Sequence, residues 1–147
     1  MDINKRDISN VHLAMKLAEA AAEQSKCVRS KVGSVVITKA GGMFVGMNGR
    51  LPGKDNVCEI TMDDGTLVTK VDTIHAEANT LDKMHREGVP AIDCIAVQTL
   101  SPCIQCYTRM VNSGVGLIVY RDAYRDIGHL EGAENVMTYD EFCKKFS

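Results

Sequence analysis

Three short stretches of the sequence bring together residues that could do chemistry: His75-Ala76-Glu77, Pro102-Cys103 and Cys106. Cys103 and Cys106 are three apart, so both thiols lie on one face of a first helical turn and can reach one ion. The free N–H groups of a helix start also favour thiolate over thiol. With one imidazole nitrogen from His75 they form a three-ligand set. That is the pattern of a catalytic zinc site, which leaves its fourth position open for water. Glu77 is two residues from His75 and so is not a same-face ligand in the manner of an i, i+4 pair. It stands beside the metal, where a carboxylate can take a proton from water whose pKa zinc lowers to about 7. The same carboxylate can hand that proton to a ring nitrogen or a leaving amine.

Each part alone has a plainer explanation. An isolated C-x-x-C is more often structural zinc or chance than catalysis, and an isolated histidine is usually an ordinary surface or core residue. His12, His85 and His129 are read in that way. Cys27, Cys58, Cys94 and Cys143 are expected to be buried small hydrophobes or incidental thiols. The combination is far more specific, because H-x-E followed by P-C-x-x-C is the signature of zinc deaminases. A structural zinc would want four protein ligands, and no fourth Cys or His has obvious spacing.

The elements that must position these residues follow from periodicity. Asp7 or Ser9 caps a helix over about 10–24, with Val11, Ala14, Met15, Ala18, Ala21 and Ala22 at helical spacing. Val32 to Thr38 and Met43 to Met47 read as a hairpin around Gly41 and Gly42. From Gly49 to about Val71 the pattern fails, which predicts a loop too long for a plain connection; such loops are often functional. Ile74 to Glu87 is helical, with Gly88 as its stop. A strand over 93–99, a helix over 102–112 with Pro102 in its first turn and a strand over 117–121 follow. A short strand over 136–138 and a helix over 140–146 complete the series. Strands alternating with helices predict an α/β sandwich. The 28 residues from His75 to Cys103 hold the rest of one helix, a strand and a return, which places two helix starts side by side at one sheet edge.

Composition sets outer bounds. A chain of 147 residues, 45% hydrophobic and 24% charged, has the size and balance of a single globular domain over 1–147. Its formal charge of −2 argues against a protein that coats nucleic acid, which needs excess cationic charge. No apolar run approaches a membrane span, and residues 1–5 lack the apolar core of a signal peptide. A cytoplasmic location is therefore expected. Thiols are kept reduced there, so six cysteines are not expected to form a disulfide framework.

These motifs resemble those of the cytidine deaminase superfamily, and within it the deoxycytidylate (dCMP) deaminases, including those of phages. The resemblance runs from about Leu13 to Tyr124. It is carried by Ser25 to Ser34, by Met47-Asn48-Gly49 with Pro52-Gly53, and by His75-Ala76-Glu77-Ala78-Asn79. Leu100 to Cys106 and Val119-Tyr120-Arg121 with Tyr124-Arg125-Asp126 complete it. Met47 replaces the aromatic residue usual before the Asn-Gly pair, and Thr80 replaces a common Ala. The resemblance implies a three-layer α/β/α sandwich on a mixed sheet of roughly five strands, and hydrolytic deamination of dCMP to dUMP with release of ammonia. It implies one catalytic Zn2+ per chain held by His75, Cys103 and Cys106, with Glu77 as proton shuttle.

The same resemblance assigns Asn48, Arg29, Tyr124, Ser101 and Ala76 to substrate contact. Asn48 would meet the sugar and base edge, although Asn-Gly pairs are also common in turns. Arg29 and Lys31 can grip a phosphate, or form a solvated basic turn. Tyr124 can close over the base or touch the phosphate. Homo-oligomers, up to hexamers, and control by dCTP and dTTP, with Mg2+ accompanying the triphosphate, are further implications. A phage-encoded enzyme would act in the host cytoplasm. Related readings are a zinc deaminase of dCTP, of a modified deoxycytidine nucleotide, of free cytidine or of tRNA adenosine. A catalytically silent nucleotide-binding zinc protein is the reading from another class; a purely structural site has no use for Glu77.

Overall fold

A computed structural model describes residues 1–124 and 126–147. Helix α1 spans Lys5–Gln24 and starts earlier than its apolar period suggests. Asn4 is its cap: Asp7 N–H donates to Asn4 Oδ1 at 2.8 Å, and Asn4 N–H donates to Asp7 Oδ2 at 3.0 Å. Asp7 is thus the third helical residue of a capping box rather than the cap itself. The six expected apolar positions of α1 are its buried face.

Strands β1 (Gly33–Ile37) and β2 (Met43–Met47) form the expected hairpin. The following excursion is not structureless. It contains a small antiparallel ribbon, β3 (Glu59–Thr61) and β4 (Leu67–Thr69), with Ile60 opposite Val68. These strands are too short, and their apolar side chains too exposed, to show a burial period in the sequence. Arg50 ties the excursion to itself through Asp55 and Asp72, each at 2.7 Å. At its base Gly49 and Ile74 exchange two backbone hydrogen bonds of 3.0 and 2.7 Å, so the chain re-enters the fold one residue before His75.

Helix α2 (Ala76–Arg86) then leads to β5 (Ile95–Leu100), α3 (Ile104–Asn112), β6 (Leu117–Asp122), β7 (Val136–Thr138) and α4 (Tyr139–Lys145). The main sheet has the order β2-β1-β5-β6-β7. Its β2-β1-β5 half is antiparallel and its β5-β6-β7 half parallel, giving the mixed five-stranded sheet.

Strand alternation sends Val35, Ile37, Val97 and Val119 to one face, where Met15 of α1 and Phe142 of α4 cover them. Val36, Ala96 and Ile118 point to the other face, against Met84 of α2 and Met110 of α3. Helices on both faces make the three-layer α/β/α sandwich. No helix among the described residues is long and apolar enough to cross a membrane.

One expectation is overturned. Cys27 and Cys58 are not incidental thiols; they are joined as a disulfide, with Cα atoms 5.1 Å apart. The bond fastens the excursion to the segment between α1 and β1. Thirty-one residues separate the pair in sequence, so nothing local announces it. Cys94 is a free buried thiol, as expected, and Cys143 is free and half-buried.

Candidate active site

The three candidate ligands come from two helix starts. His75 is the N-cap of α2 and Cys103 the N-cap of α3, with Cys106 one turn further on. Their ligand atoms lie within 4.8 Å of one another. His75 Nδ1 is 3.6 Å from Cys103 Sγ and 3.3 Å from Cys106 Sγ. A tetrahedral zinc, with bonds of about 2.0–2.3 Å, holds its N and S ligands about 3.5 Å apart. The residues therefore fit the metal in both chemistry and spacing. Burial, with Glu77 and Cys103 alongside, pushes the Cys106 thiol up. A cation between the ligands reverses that direction, because a coordinated thiol is deprotonated outright.

Glu77 lies in the first turn of α2 and is almost wholly buried, at 5% exposure. Burial raises its pKa, opposed by the charge of His75 and by hydrogen bonds that include one from Gln98. Gln98 Nε2 donates to Glu77 Oε2 at 3.2 Å and to the Leu100 carbonyl at 2.8 Å. Sequence reading missed Gln98. The available signal was a lone amide in the otherwise apolar or β-branched run Ile95 to Leu100.

An open pocket of about 420 Å³ lies over His75, Ala76, Glu77 and Cys103. Asn48, Arg29, Ser101 and Tyr124 also line it, so the fold gathers all the expected contact residues except Lys31. The Asn48 side chain is heavily used: Oδ1 accepts from Ser25 Oγ at 2.7 Å and Val32 N–H at 2.9 Å, while Nδ2 donates to the Ser30 carbonyl at 2.7 Å. It shapes the pocket wall as a turn residue would. Arg29 Nη1 donates to Thr69 Oγ1 at 2.9 Å. Lys31 Nζ instead donates to the Ser25 carbonyl at 2.6 Å and is not in the lining. Ser101 Oγ accepts from Tyr124 N–H at 2.7 Å, fixing the backbone that carries the tyrosine ring. Arg125 lies outside the described residues.

Glu59 is a second residue that sequence reading missed. It is buried in the pocket wall, and its Oε2 accepts from the backbone N–H groups of Val28 and Arg29 at 2.9 and 3.0 Å. The neighbouring Cys58, joined to Cys27, and the Arg29–Thr69 hydrogen bond hold the excursion against this turn. His12 and His129 are ordinary hydrogen-bonded residues, on Tyr139 OH and the Pro102 carbonyl respectively.

Residues 8–122 match the cytidine and deoxycytidylate deaminase zinc-binding region. The chain is 32% identical over 114 residues to deoxycytidylate deaminase of Mycobacterium phage D29, covering 71% of this chain and 88% of that protein. It is 30% identical over 116 residues to deoxycytidylate deaminase of Saccharomyces cerevisiae. That match covers 76% of this chain but only 37% of the yeast protein, so the chain spans little over a third of that relative. In three dimensions it resembles the crystal structure of dCMP deaminase from the cyanophage S-TIM5 in complex with dCMP and dUMP. The TM-score is 0.77 at 31% identity, covering 86% of this chain and 94% of the other.

Proposed function

Because the chain belongs to the family defined by the cytidine and deoxycytidylate deaminase zinc-binding region, we propose that it hydrolyses dCMP to dUMP and ammonia. The observation that carries this is that His75, Cys103 and Cys106 gather around one position while His75, Cys103 and buried Glu77 line one pocket of about 420 Å³. His75, Cys103 and Cys106 would hold one Zn2+, which would supply water of lowered pKa, near 7, as the nucleophile.

The work of this chain's own residues is proton transfer and positioning. Glu77 accepts a proton from the attacking water and delivers it to N3 of the cytosine ring as oxygen bonds to C4. It then takes the proton from the new hydroxyl and gives it to the amine as the C4–N bond breaks. Ammonia leaves and the C4 carbonyl of dUMP remains. Helix α2 holds the carboxylate in a dry setting, where a fixed geometry replaces solvent reorganisation. Ala76, packed with no side-chain exposure, lines the pocket as the first residue of α2 and is assigned to substrate contact through its backbone. Arg29 is assigned to the 5′-phosphate, Asn48 to the sugar and base edge, and Tyr124, with Ser101 behind it, to closure over the nucleotide.

The chain is assigned to a homo-oligomer, as a single catalytic domain, acting in the cytoplasm of its host cell. Effector control by dCTP, with Mg2+, and by dTTP is assigned to the excursion over 50–71. Its Arg50 ion pairs give it a defined arrangement that a ligand can favour or oppose. Saturation curves for dCMP, with Mg2+, should shift when either triphosphate is added; superimposable hyperbolic curves remove effector control. The substrate is tested by ammonia release across cytosine, deoxycytidine, dCMP, dCTP, CMP and adenosine. The highest kcat/KM is expected for dCMP, and a preference for any other member of the panel replaces the substrate assignment.

A further inference from the structure

Gln98 sits in the middle strand of the sheet, opposite Ser34 of β1 and Tyr120 of β6, with no solvent exposure. An amide is a costly choice there, because a buried polar group left unsatisfied loses its hydration without return. Its Oε1 is such a group, with no partner among the described residues. Both bonds it makes come from Nε2, to the Leu100 carbonyl at 2.8 Å and to Glu77 Oε2 at 3.2 Å. The orientation of a glutamine amide is often ambiguous, but a carbonyl can only accept. Leu100 therefore fixes Nε2, not Oε1, toward Glu77. Leu100 also ends β5, three residues before Cys103. Gln98 thus joins the strand that presents the cysteines to the carboxylate on the neighbouring helix.

We propose that Gln98 is the positioning residue of the reaction, holding the Glu77 carboxylate in the one orientation from which it reaches both the attacking water and the base. The proposal rests on Glu77 being the proton shuttle. A glutamate has three rotatable side-chain bonds, and a misplacement of about 1 Å at a reacting group costs on the order of 100-fold in rate. Gln98 removes that freedom from a face where substrate cannot compete for the bond.

The test is a double-mutant cycle on the zinc-loaded enzyme with Gln98→Met, which keeps length and burial and removes the donor. Gln98→Met should lower kcat for dCMP about 10- to 100-fold with KM and zinc content unchanged. Its Tm should fall by no more than a few degrees, because the bonds lost at the Leu100 carbonyl and Glu77 are partly offset by removal of the unsatisfied oxygen. In the Glu77→Gln background the same change should have no further effect, because no shuttle is left to orient. Gln98→Asn, whose amide is one carbon short, should reproduce the kcat loss and keeps the test open if the Met variant does not fold. An unchanged kcat in Gln98→Met, or an equal fold-loss in both backgrounds, overturns the proposal. Near-normal turnover by Glu77→Gln instead overturns the shuttle assignment on which it rests, so the two failures are distinguishable.

Discussion

Each candidate ligand reaches the metal position from a helix start, where the first backbone N–H groups are unpaired by the helix. The Cys106 N–H already donates to Cys103 Sγ at 3.5 Å, so this backbone also orients the first cysteine. Three ligand atoms gather around one position, and Glu77 beside them is held by Gln98 for proton transfer, so the loss of one ligand should not be made good. Cys103→Ala and Cys106→Ala are each expected to drop bound zinc well below one per chain by metal analysis. Full occupancy in either variant contradicts its assignment as a ligand. Glu77→Gln is expected to keep both zinc and fold while losing about 100- to 10,000-fold in kcat, the range for removing a positioned acid–base group. The amide matches the carboxylate in shape but cannot carry the proton in either step.

At the scale of elements, the sequence was most legible where burial is periodic. The face of α1, the β1–β2 hairpin and the β5-α3-β6 unit all follow from the spacing of apolar residues. It was least legible over 50–73, where order comes from Arg50, its two carboxylates and a disulfide. Two of these contacts, Arg50–Asp72 and Cys27–Cys58, join residues 22 and 31 apart in sequence, and no local pattern encodes them. Closing a loop of this length by a disulfide stabilises by about 3–4 kcal/mol on the chain-entropy account. Reducing Cys27–Cys58 should accordingly lower Tm by several degrees, with Cys58→Ser insensitive to reductant. Equal melting with and without reductant contradicts a bonded pair.

Thr80 shows how a single unusual residue is absorbed by its neighbours. It is fully buried, donates to the Ala76 carbonyl at 2.9 Å, and occupies the space where a Cβ on Gly46 would stand. Gly46→Ala should cost about 1–3 kcal/mol by overpacking. Thr80→Ala in the same chain should recover only part of this, because α2 backbone atoms also crowd the position. Full recovery, or no cost at all in denaturant unfolding, contradicts that packing.

Over the whole molecule, the sandwich brings one end of the β5 strand, the start of α2 and the excursion over 50–73 around a single pocket. The candidate ligands His75 and Cys103 line it, and so does Arg29. A charge-assisted hydrogen bond to phosphate is worth about 1.5–3 kcal/mol. Deoxycytidine should thus be turned over with kcat/KM about 10- to 100-fold below that of dCMP, and Arg29→Ala should narrow the gap. Equal constants for the two substrates would make this a nucleoside deaminase. The central claim, hydrolysis at C4 of dCMP, is tested most directly by turnover in water enriched in heavy oxygen, with mass analysis of the product. The account predicts dUMP carrying one heavy oxygen at C4 and an equal amount of ammonia; dCMP left intact by the zinc-loaded protein, or dUMP formed without the label, would contradict it.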